Sequence, residues 1–319
     1  MIVRQSFLFF LLTTLLSVMH CVGQGPSAEL ILESNQTQPS GMSYRDATIF
    51  GLVEGITEFL PISSTGHLIL VSEFLSEKPK TKEHGVAINA YLIVIQAGAI
   101  LAVALLYRKE IWSIGLGILG LDPRGRRLGM NLFLAFLPAA MIGPFLDDII
   151  ESALFGLLPI AIALLAGGLL MLWAEVRKKR QSTELSSSDE KTLDDLTSLN
   201  SIFIGLMQCV AMWPGTSRSM MTIVGGYLVG LERAKAAEFS FLLGLITLTA
   251  AAAYKGLTKW EVMRDNLELG PVFWGCLVAG MSAGLSVYWL VGYLTRRGLG
   301  LFVWYRIILS FIIFYFYFC

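Results

Sequence analysis

The sequence predicts an all-α polytopic membrane protein in which inverted repeats contain two re-entrant helical hairpins plus about six transmembrane helices. Of its 319 residues, 55% are hydrophobic and 15% are charged, which leaves too few polar side chains to coat a water-soluble globule. Six apolar runs are long enough to cross a hydrocarbon core of about 30 Å. Two further apolar runs are interrupted by polar turns that resemble each other, a pattern typical of inverted repeats.

Charge and cysteine content exclude several other classes of protein. Lysine and arginine together number 24, as do aspartate and glutamate, so the basic excess of a nucleic-acid-binding face is missing and no nucleic-acid partner is expected. Four cysteines stand at positions 21, 209, 276 and 319 without a CxxC motif, so neither a disulfide framework nor a zinc site is predicted. The expected environment is the membrane, and a homodimer is left open.

The first 44 residues differ in composition from the rest of the chain. Residues 1–23 contain Arg4, an uncharged run and small residues at the end, which is the pattern of a secretory signal peptide. An uncleaved additional helix is the alternative. Residues 24–44 are rich in Ser, Gln, Asn and Pro and are predicted to form a disordered linker. The membrane domain is then expected to cover residues 45–319.

Six runs predict transmembrane helices, because each has 18 or more residues with few charges. These runs are 85–106, 129–146, 153–174, 237–254, 271–294 and 298–319. A polar stretch at 175–198 predicts a cytoplasmic loop, which separates repeat one (about 45–174) from repeat two (about 199–319).

The two interrupted runs, 44–75 and 199–231, predict the re-entrant hairpins. The first polar turn is Pro61-Ile-Ser-Ser-Thr-Gly-His67, and the second is Pro214-Gly-Thr-Ser-Arg-Ser219. Broken backbone at membrane depth is tolerated only where it is buried in protein or lines a cavity. Paired broken segments in two halves point to a site between them, so we expect the functional site where the two turns meet.

An alignment of the two hairpins supports the repeat. It pairs Gly51 with Gly205, Glu54 with Gln208, Pro61 with Pro214 after a one-residue gap, and Ser64 with Ser217.

Basic residues predict the orientation of the chain. A cleaved signal peptide puts the mature N-terminus outside, and the predicted spans then place fourteen Lys and Arg residues in inside loops and seven outside. The positive-inside rule favours this orientation. The first hairpin, and with it the expected site, then opens to the outside of the membrane.

Glu54 and Glu58 are four residues apart, so both carboxylates lie on one helix face. In an apolar segment such a pair suits general acid–base chemistry or a divalent cation such as Mg²⁺ or Ca²⁺. A structural role, bonding to the broken backbone, is the alternative. No motif predicts an organic cofactor.

The first polar turn groups three hydroxyls with a histidine. Ser63, Ser64 and Thr65 can cap the returning helix, or they can form an anion site with the free amides at its start. His67 lies beside them, and its proximity to two carboxylates favours a functional role over a structural one.

The second polar turn contains Arg218, whose permanent charge requires an anion and whose fork fits phosphate oxygens. Ser217, Ser219 and Thr222 add hydroxyls around it. The alternative is a structural ion pair with Glu54 or Glu58. We interpret Arg306, in the last span, as the structural partner of a carboxylate such as Glu238.

Several motifs carry a family resemblance. They are EGITEFLPISSTGH at 54–67, IQAGAI at 95–100, QCVAMWPGTSRS at 208–219, EFSFLL at 238–243 and YR at 305–306. From about residue 45 to the C-terminus the chain resembles the undecaprenyl-diphosphate phosphatases, also called bacitracin-resistance proteins. The resemblance implies inverted repeats with two re-entrant hairpins. It also implies hydrolysis of the prenyl diphosphate carrier to the monophosphate outside the bacterial cytoplasmic membrane, which recycles the carrier for peptidoglycan synthesis and confers bacitracin resistance.

The resemblance also implies roles for individual residues. Glu54 and Glu58 fall on the family's acidic pair, Ser64 on its nucleophile or phosphate-holding serine, His67 on its motif histidine and Arg218 on its phosphate-binding arginine. The first 44 residues and Met220-Met221 depart from the family's pattern.

Three questions stay open at this point. The nucleophile is a serine, a histidine or water, with Glu54, Glu58 or His67 moving protons. A transporter of a prenyl phosphate is an alternative, because transporters also contain inverted repeats with charges at the midplane. An intramembrane protease fits less well, because it gives Arg218 no role.

Overall fold

The computed structural model describes residues 42–75, 82–184, 190–258, 261 and 268–318, and this part of the chain contains eleven α-helices and no β-strand. The predicted signal peptide and residues 24–41 of the predicted linker lie outside the described residues. The helices are α1 Tyr44–Thr57, α2 Ser64–Leu75, α3 Lys82–Leu106, α4 Arg108–Ile118, α5 Pro123–Leu154, α6 Leu157–Glu184, α7 Ser198–Val210, α8 Arg218–Leu228, α9 Arg233–Thr258, α10 Leu269–Arg297 and α11 Gly300–Phe318.

Five of the described helices, α5, α6, α9, α10 and α11, are long and apolar enough to cross a membrane. The end of α3 and the whole of α4 meet at 79°, and this bent pair raises the number of candidate spans to six. The all-α polytopic class and the expected number of spans are therefore confirmed. The helix α4 was not predicted from the sequence.

Besides α4, four described helices are too short to cross the membrane alone. Helices α1, α2, α7 and α8 have 14, 12, 13 and 11 residues, and even the longest extends about 21 Å at 1.5 Å per residue. The chain breaks between α1 and α2 and between α7 and α8, at the two polar turns. The predicted interruptions are present, and their re-entrant placement in a bilayer stays a prediction.

The two hairpins correspond residue by residue. Helices α1 and α7 begin at Tyr44 and Ser198, and α2 and α8 begin at Ser64 and Arg218, so both pairs are 154 residues apart. Ser63 and Ser217 precede α2 and α8 with the same φ of 76°. The expected pairing of Ser64 with Ser217 is therefore wrong by one residue. The residue before each second helix sets the register, and the prolines do not, because they stand at different distances from it.

The halves of the chain are interleaved, since α1 packs on α10 and α7 packs on α5. Glycines permit both approaches. A Cβ on Gly51 would lie 2.6 Å from the Gly275 carbonyl oxygen of α10, and a Cβ on Gly205 would overlap the Ala135 carbonyl oxygen of α5. Each hairpin is thus held by a long helix of the opposite half, which fixes the two polar turns relative to each other.

The turn between α4 and α5 is fixed by Asp122. Its carboxylate accepts hydrogen bonds from the Ser113 hydroxyl at 2.5 Å and from the amides of Arg124 and Gly125 at the start of α5. These bonds lower the pKa of the Asp122 carboxyl, and the bond from Ser113 has the largest effect. The same end of α5 binds the following segment, where Arg124 pairs with Asp194.

The predicted loop at 175–198 is shorter than expected. Helix α6 continues to Glu184, and Leu193–Asp195 forms a 3-10 turn.

Close packing of α3 on α10 gives the first testable prediction. A Cβ at Gly98 would overlap the Cys276 carbonyl oxygen, whereas a Cβ at Gly292 meets nothing within 4 Å. Overpacking of this kind costs about 1–3 kcal/mol, so Gly98→Ala should lower the thermal unfolding midpoint in detergent. Gly292→Ala is the control and should leave the midpoint unchanged or higher, because alanine favours helix by up to about 1 kcal/mol. Equal midpoints for the two variants would contradict this packing.

Candidate active site

Arg306 connects the two polar turns. It is fully buried, and its guanidinium donates to the carbonyl oxygens of Pro61 at 3.4 Å, Gly215 at 3.0 Å and Ala163 at 3.1 Å. The interpretation of Arg306 as a partner of Glu238 is wrong, since Glu238 pairs with Lys235 at 2.8 Å. Helix breaks leave carbonyl groups without helical partners, and these groups attract Arg306 instead of a carboxylate.

The first polar turn presents its hydroxyls at the start of α2. The Ser63 hydroxyl accepts a hydrogen bond from the Gly66 amide at 3.4 Å and so caps α2, a role that the sequence offered to Ser63, Ser64 or Thr65. The Ser64 hydroxyl donates to Glu58 Oε2 at 2.5 Å. A hydrogen bond to a carboxylate orients a hydroxyl and gives its proton an acceptor.

The second polar turn brings Arg218 to the same carboxylate. Arg218 Nη2 lies 3.2 Å from Glu58 Oε1, Nη1 donates to the Ser240 carbonyl oxygen at 3.1 Å, and the guanidinium lies over the Phe59 ring at 5.5 Å. Gly215 has a φ of 95°, and a Cβ there would lie 2.8 Å from the Ile160 carbonyl oxygen of α6. Only glycine fits this conformation without strain. Glu58 therefore joins Ser64 of one turn to Arg218 of the other.

A cavity of about 560 Å³ opens beside this cluster. Its polar end is formed by Glu58, Arg218 and hydroxyl groups of both turns, while α5 and α9 contribute mostly apolar walls. The polar lining includes Glu58, Ser63, Ser64, Thr65, Gln96, Ser217, Arg218 and Thr247. The apolar lining includes Phe136, Ala139, Ala140, Pro144, Leu248 and Ala251.

Four of the predicted site residues do not line this cavity, namely Glu54, His67, Ser219 and Thr222. The Ser219 hydroxyl donates to the Leu60 carbonyl oxygen at 2.8 Å, and the Thr222 hydroxyl contacts Ser240 Oγ at 2.6 Å. Both hydroxyls thus hold the second turn against its neighbours. The ring of His67 contacts Tyr305 and the backbone of Ser63.

Glu54 differs from Glu58 in its surroundings. Glu54 is fully buried. Among the described residues, neither of its carboxylate oxygens has a partner at hydrogen-bond geometry, although the Gln96 side chain makes a weaker polar contact. An orphaned carboxylate beside an anion site fits a divalent cation that shares its ligands with phosphate. The described residues contain no group of three or more His, Cys, Asp or Glu side chains, so further ligands would come from the substrate and water.

Sequence reasoning did not assign a role to several residues of this site. Gln96 and Thr247 line the cavity from α3 and α9, and Tyr305 contacts His67 from α11. Gln96 and Tyr305 both lie in motifs that carry the resemblance, which was the available signal. Nothing in the sequence marks Thr247.

Together these features describe a multi-pass membrane protein with a largely apolar cavity, in which a serine is hydrogen-bonded to a carboxylate beside an arginine. This combination suits transfer or hydrolysis of a phosphoryl group carried by a lipid.

Comparison with known proteins gives the same class. The profile of the family "Bacitracin resistance protein BacA" matches residues 47–312. Undecaprenyl-diphosphatase 2 of Rhodospirillum rubrum is 43% identical over 261 residues, which cover 82% of this chain and 90% of that protein. Undecaprenyl-diphosphatase 3 of Acinetobacter baylyi is 42% identical over 267 residues, 84% of this chain and 95% of that protein. The chain belongs to the bacitracin resistance protein family.

Arg306 gives the second testable prediction. Arg306→Met would leave the carbonyls of Pro61, Ala163 and Gly215 without these donors, and each unsatisfied buried group costs about 1–3 kcal/mol. We expect a markedly lower thermal midpoint and less monodisperse protein in detergent. Ser310→Ala is the control, because Ser310 is also buried on α11 but donates a single bond, to the Ala161 carbonyl oxygen. An Arg306→Met midpoint no lower than that of Ser310→Ala would show that Arg306 does not hold the turns together.

Proposed function

We propose that this protein hydrolyses undecaprenyl diphosphate to undecaprenyl phosphate and inorganic phosphate. The observation that carries the proposal is the position of Glu58, which contacts Ser64 of one turn and Arg218 of the other at the polar end of the cavity. A binding site alone would need the arginine, but the hydrogen bond between serine and carboxylate adds the means to move a proton. The names of the relatives support the same reaction.

The cavity suits a lipid with a diphosphate head. Its volume of about 560 Å³ accommodates the head group and the first part of the prenyl chain, while the rest of the chain stays in the bilayer. The apolar walls from α5 and α9 contact the hydrocarbon, and Arg218 contacts the phosphates. Burial of the prenyl chain contributes affinity, and the charged end supplies specificity.

Phosphate binding frees the catalytic carboxylate. Arg218 exchanges Glu58 for oxygens of the terminal phosphate, to which its fork can bind in bidentate geometry. Glu58 Oε2 then accepts the proton of Ser64 while Oγ attacks the terminal phosphorus. The bond between that phosphorus and the bridging oxygen breaks, undecaprenyl phosphate leaves, and water hydrolyses the phosphoserine. In the direct route Glu58 takes the proton of water instead, and Ser64 holds the phosphate.

Other groups stabilise the charge that develops on the phosphate oxygens. The amides at the start of α2 and the hydroxyls of Ser63, Thr65 and Ser217 lie at the cavity. A Mg²⁺ or Ca²⁺ ion held by Glu54 and Glu58 would neutralise phosphate charge. Ser219 and Thr222 act by holding the second turn.

We place the protein in the bacterial cytoplasmic membrane with the cavity open to the periplasmic or extracellular side. The cavity lining includes Ile150 and Phe155 near the connection from α5 to α6, and Tyr254 and Lys255 near the end of α9. The distribution of basic residues favours an outside position for both of these regions. A spent lipid carrier released on that side reaches the site directly. Its dephosphorylation supplies carrier for peptidoglycan synthesis. Consumption of the diphosphate form of the carrier also confers bacitracin resistance.

Arg218→Lys should lose most of the phosphatase activity although it keeps the charge, because a point charge cannot replace the bidentate fork. Loss of about 3 kcal/mol of transition-state stabilisation corresponds to a rate lower by about a hundredfold. The measurement is phosphate release from undecaprenyl diphosphate by purified protein in detergent. Arg124→Lys, at a largely exposed ion pair with Asp194, is the control and should stay fully active. Parental rates for Arg218→Lys would reduce Arg218 to a structural counter-ion.

Sidedness can be tested with single cysteines at Ser187 and Lys80, in a chain that lacks its four native cysteines. A membrane-impermeant thiol reagent applied to intact spheroplasts should label position 80 and spare position 187, because the second lies in the predicted cytoplasmic loop. Labelling at 187 with protection at 80 would invert the orientation and close the cavity to the outside.

A further inference from the structure

Ser63 has a conformation that needs support. Its φ of 76° lies in the left-handed region, which non-glycine residues adopt only when their surroundings hold them there. The residue directly precedes Ser64, so its backbone sets the direction of the hydroxyl that contacts Glu58. Whatever holds Ser63 therefore positions the reacting group.

The Ser63 carbonyl is held by the His67 side chain. His67 Nδ1 lies 2.6 Å from the Ser63 carbonyl oxygen, while the helical bond from the His67 amide to the same oxygen is long, at 3.4 Å. A carbonyl oxygen can only accept, so Nδ1 carries the proton. In the neutral ring Nε2 then accepts, and its partner is the Tyr305 hydroxyl at 2.6 Å.

The second turn serves as an internal comparison. Ser217 has the same φ of 76°, and the residue that corresponds to His67 is Met221, 154 positions later. There the backbone amide of Met221 donates to the Ser217 carbonyl oxygen at 3.1 Å, and the apolar side chain contributes no hydrogen bond. The conformation alone thus does not require a histidine. The additional bond is found in the turn that presents the serine next to a carboxylate.

We propose that Tyr305 is a positioning residue that acts through His67. Its hydroxyl fixes the imidazole in the Nδ1-protonated tautomer, and that tautomer holds the Ser63 carbonyl and so directs Ser64 toward Glu58. His67 is then also a positioning residue, because both ring nitrogens are engaged and its ring lies outside the cavity lining. The effect on turnover rests on the proposed phosphatase function, whereas the tautomer can be measured without it.

Tyr305→Phe removes the hydroxyl and keeps the aromatic ring, which lies nearly parallel to His67 at 5.6 Å. Without the donor on Nε2 the ring can adopt the other tautomer, and its bond to the Ser63 carbonyl is then lost. We expect kcat for undecaprenyl diphosphate to fall about tenfold, the equivalent of one hydrogen bond, with KM changed less than about twofold. Tyr91→Phe is the matched control, because it removes another buried tyrosine hydroxyl, whose bonds are long, at 3.3 and 3.4 Å.

The tautomer is measured by ¹⁵N NMR of histidine-labelled protein in detergent. The chain has three histidines, so replacing His20 and His84 with glutamine leaves one signal pair. The parental protein should give a protonated Nδ1 and an unprotonated Nε2, and Tyr305→Phe should shift the ring toward the opposite tautomer. An Nε2-protonated parental ring, or an unchanged tautomer together with unchanged kcat in Tyr305→Phe, would overturn the proposal.

Two replacements of His67 separate positioning from proton transfer. Asparagine places its Nδ2 donor near the position of the imidazole Nδ1 but cannot take up a proton, whereas alanine provides neither function. If His67 positions Ser63, His67→Asn should retain at least about tenfold more activity than His67→Ala. Equal loss in both variants, with the parental protein active, would assign His67 to proton transfer and contradict the proposal. An inactive parental protein would instead contradict the phosphatase function and leave the NMR result to decide the role of Tyr305.

Discussion

The structure depends on how it satisfies the carbonyl groups that two broken helices expose in an apolar interior. Buried carbonyl groups have no water to bond to, so each break needs donors from elsewhere in the protein. Arg306 supplies them to both breaks at once, through the carbonyls of Pro61 and Gly215, and adds Ala163 of α6. Gly167 has no side chain because a Cβ there would overlap the guanidinium. One buried cation thus fixes two turns that are about 150 residues apart in the chain.

Once the turns are joined, the chemistry of the site follows from what each presents. The first contributes a serine at a helix start and the second an arginine, and Glu58 contacts both. In the proposed reaction, phosphate replaces Glu58 on Arg218 and leaves the carboxylate bonded to Ser64 alone. The adjacent residues Tyr305 and Arg306 of α11 contact the first turn at His67 and at the Pro61 carbonyl oxygen. The same helix therefore holds both the backbone break and the orientation of its hydroxyls.

The sequence predicted the class, the number of spans and the two breaks, because hydropathy and Pro-containing polar turns depend on local composition. It also brought Glu58, Ser64 and Arg218 together, since a buried charge needs a partner. The sequence-based prediction failed for Arg306, because its partners are backbone carbonyl oxygens and the expected pair with Glu238 considered side chains only. No residue type in the sequence marks a carbonyl group that lacks a helical partner. The predicted register of the second half of each hairpin was wrong by one residue, because the alignment matched Pro61 with Pro214. The feature that sets the register is the positive φ shared by Ser63 and Ser217, and a sequence does not reveal backbone angles. His67 and Thr222 were assigned to the site by proximity in sequence and by the family resemblance, whereas their side chains contact Tyr305 and Ser240 and do not line the cavity.

We infer that the two turns act on the substrate as one unit through Glu58 and Arg218. A double-mutant cycle on phosphate release, with Glu58→Gln, Arg218→Lys and both changes combined, measures this coupling most directly. We expect strong non-additivity, with the double variant losing little more activity than the more impaired single variant. Losses that multiply would mean that the two residues act independently and would contradict a site built jointly by the two hairpins.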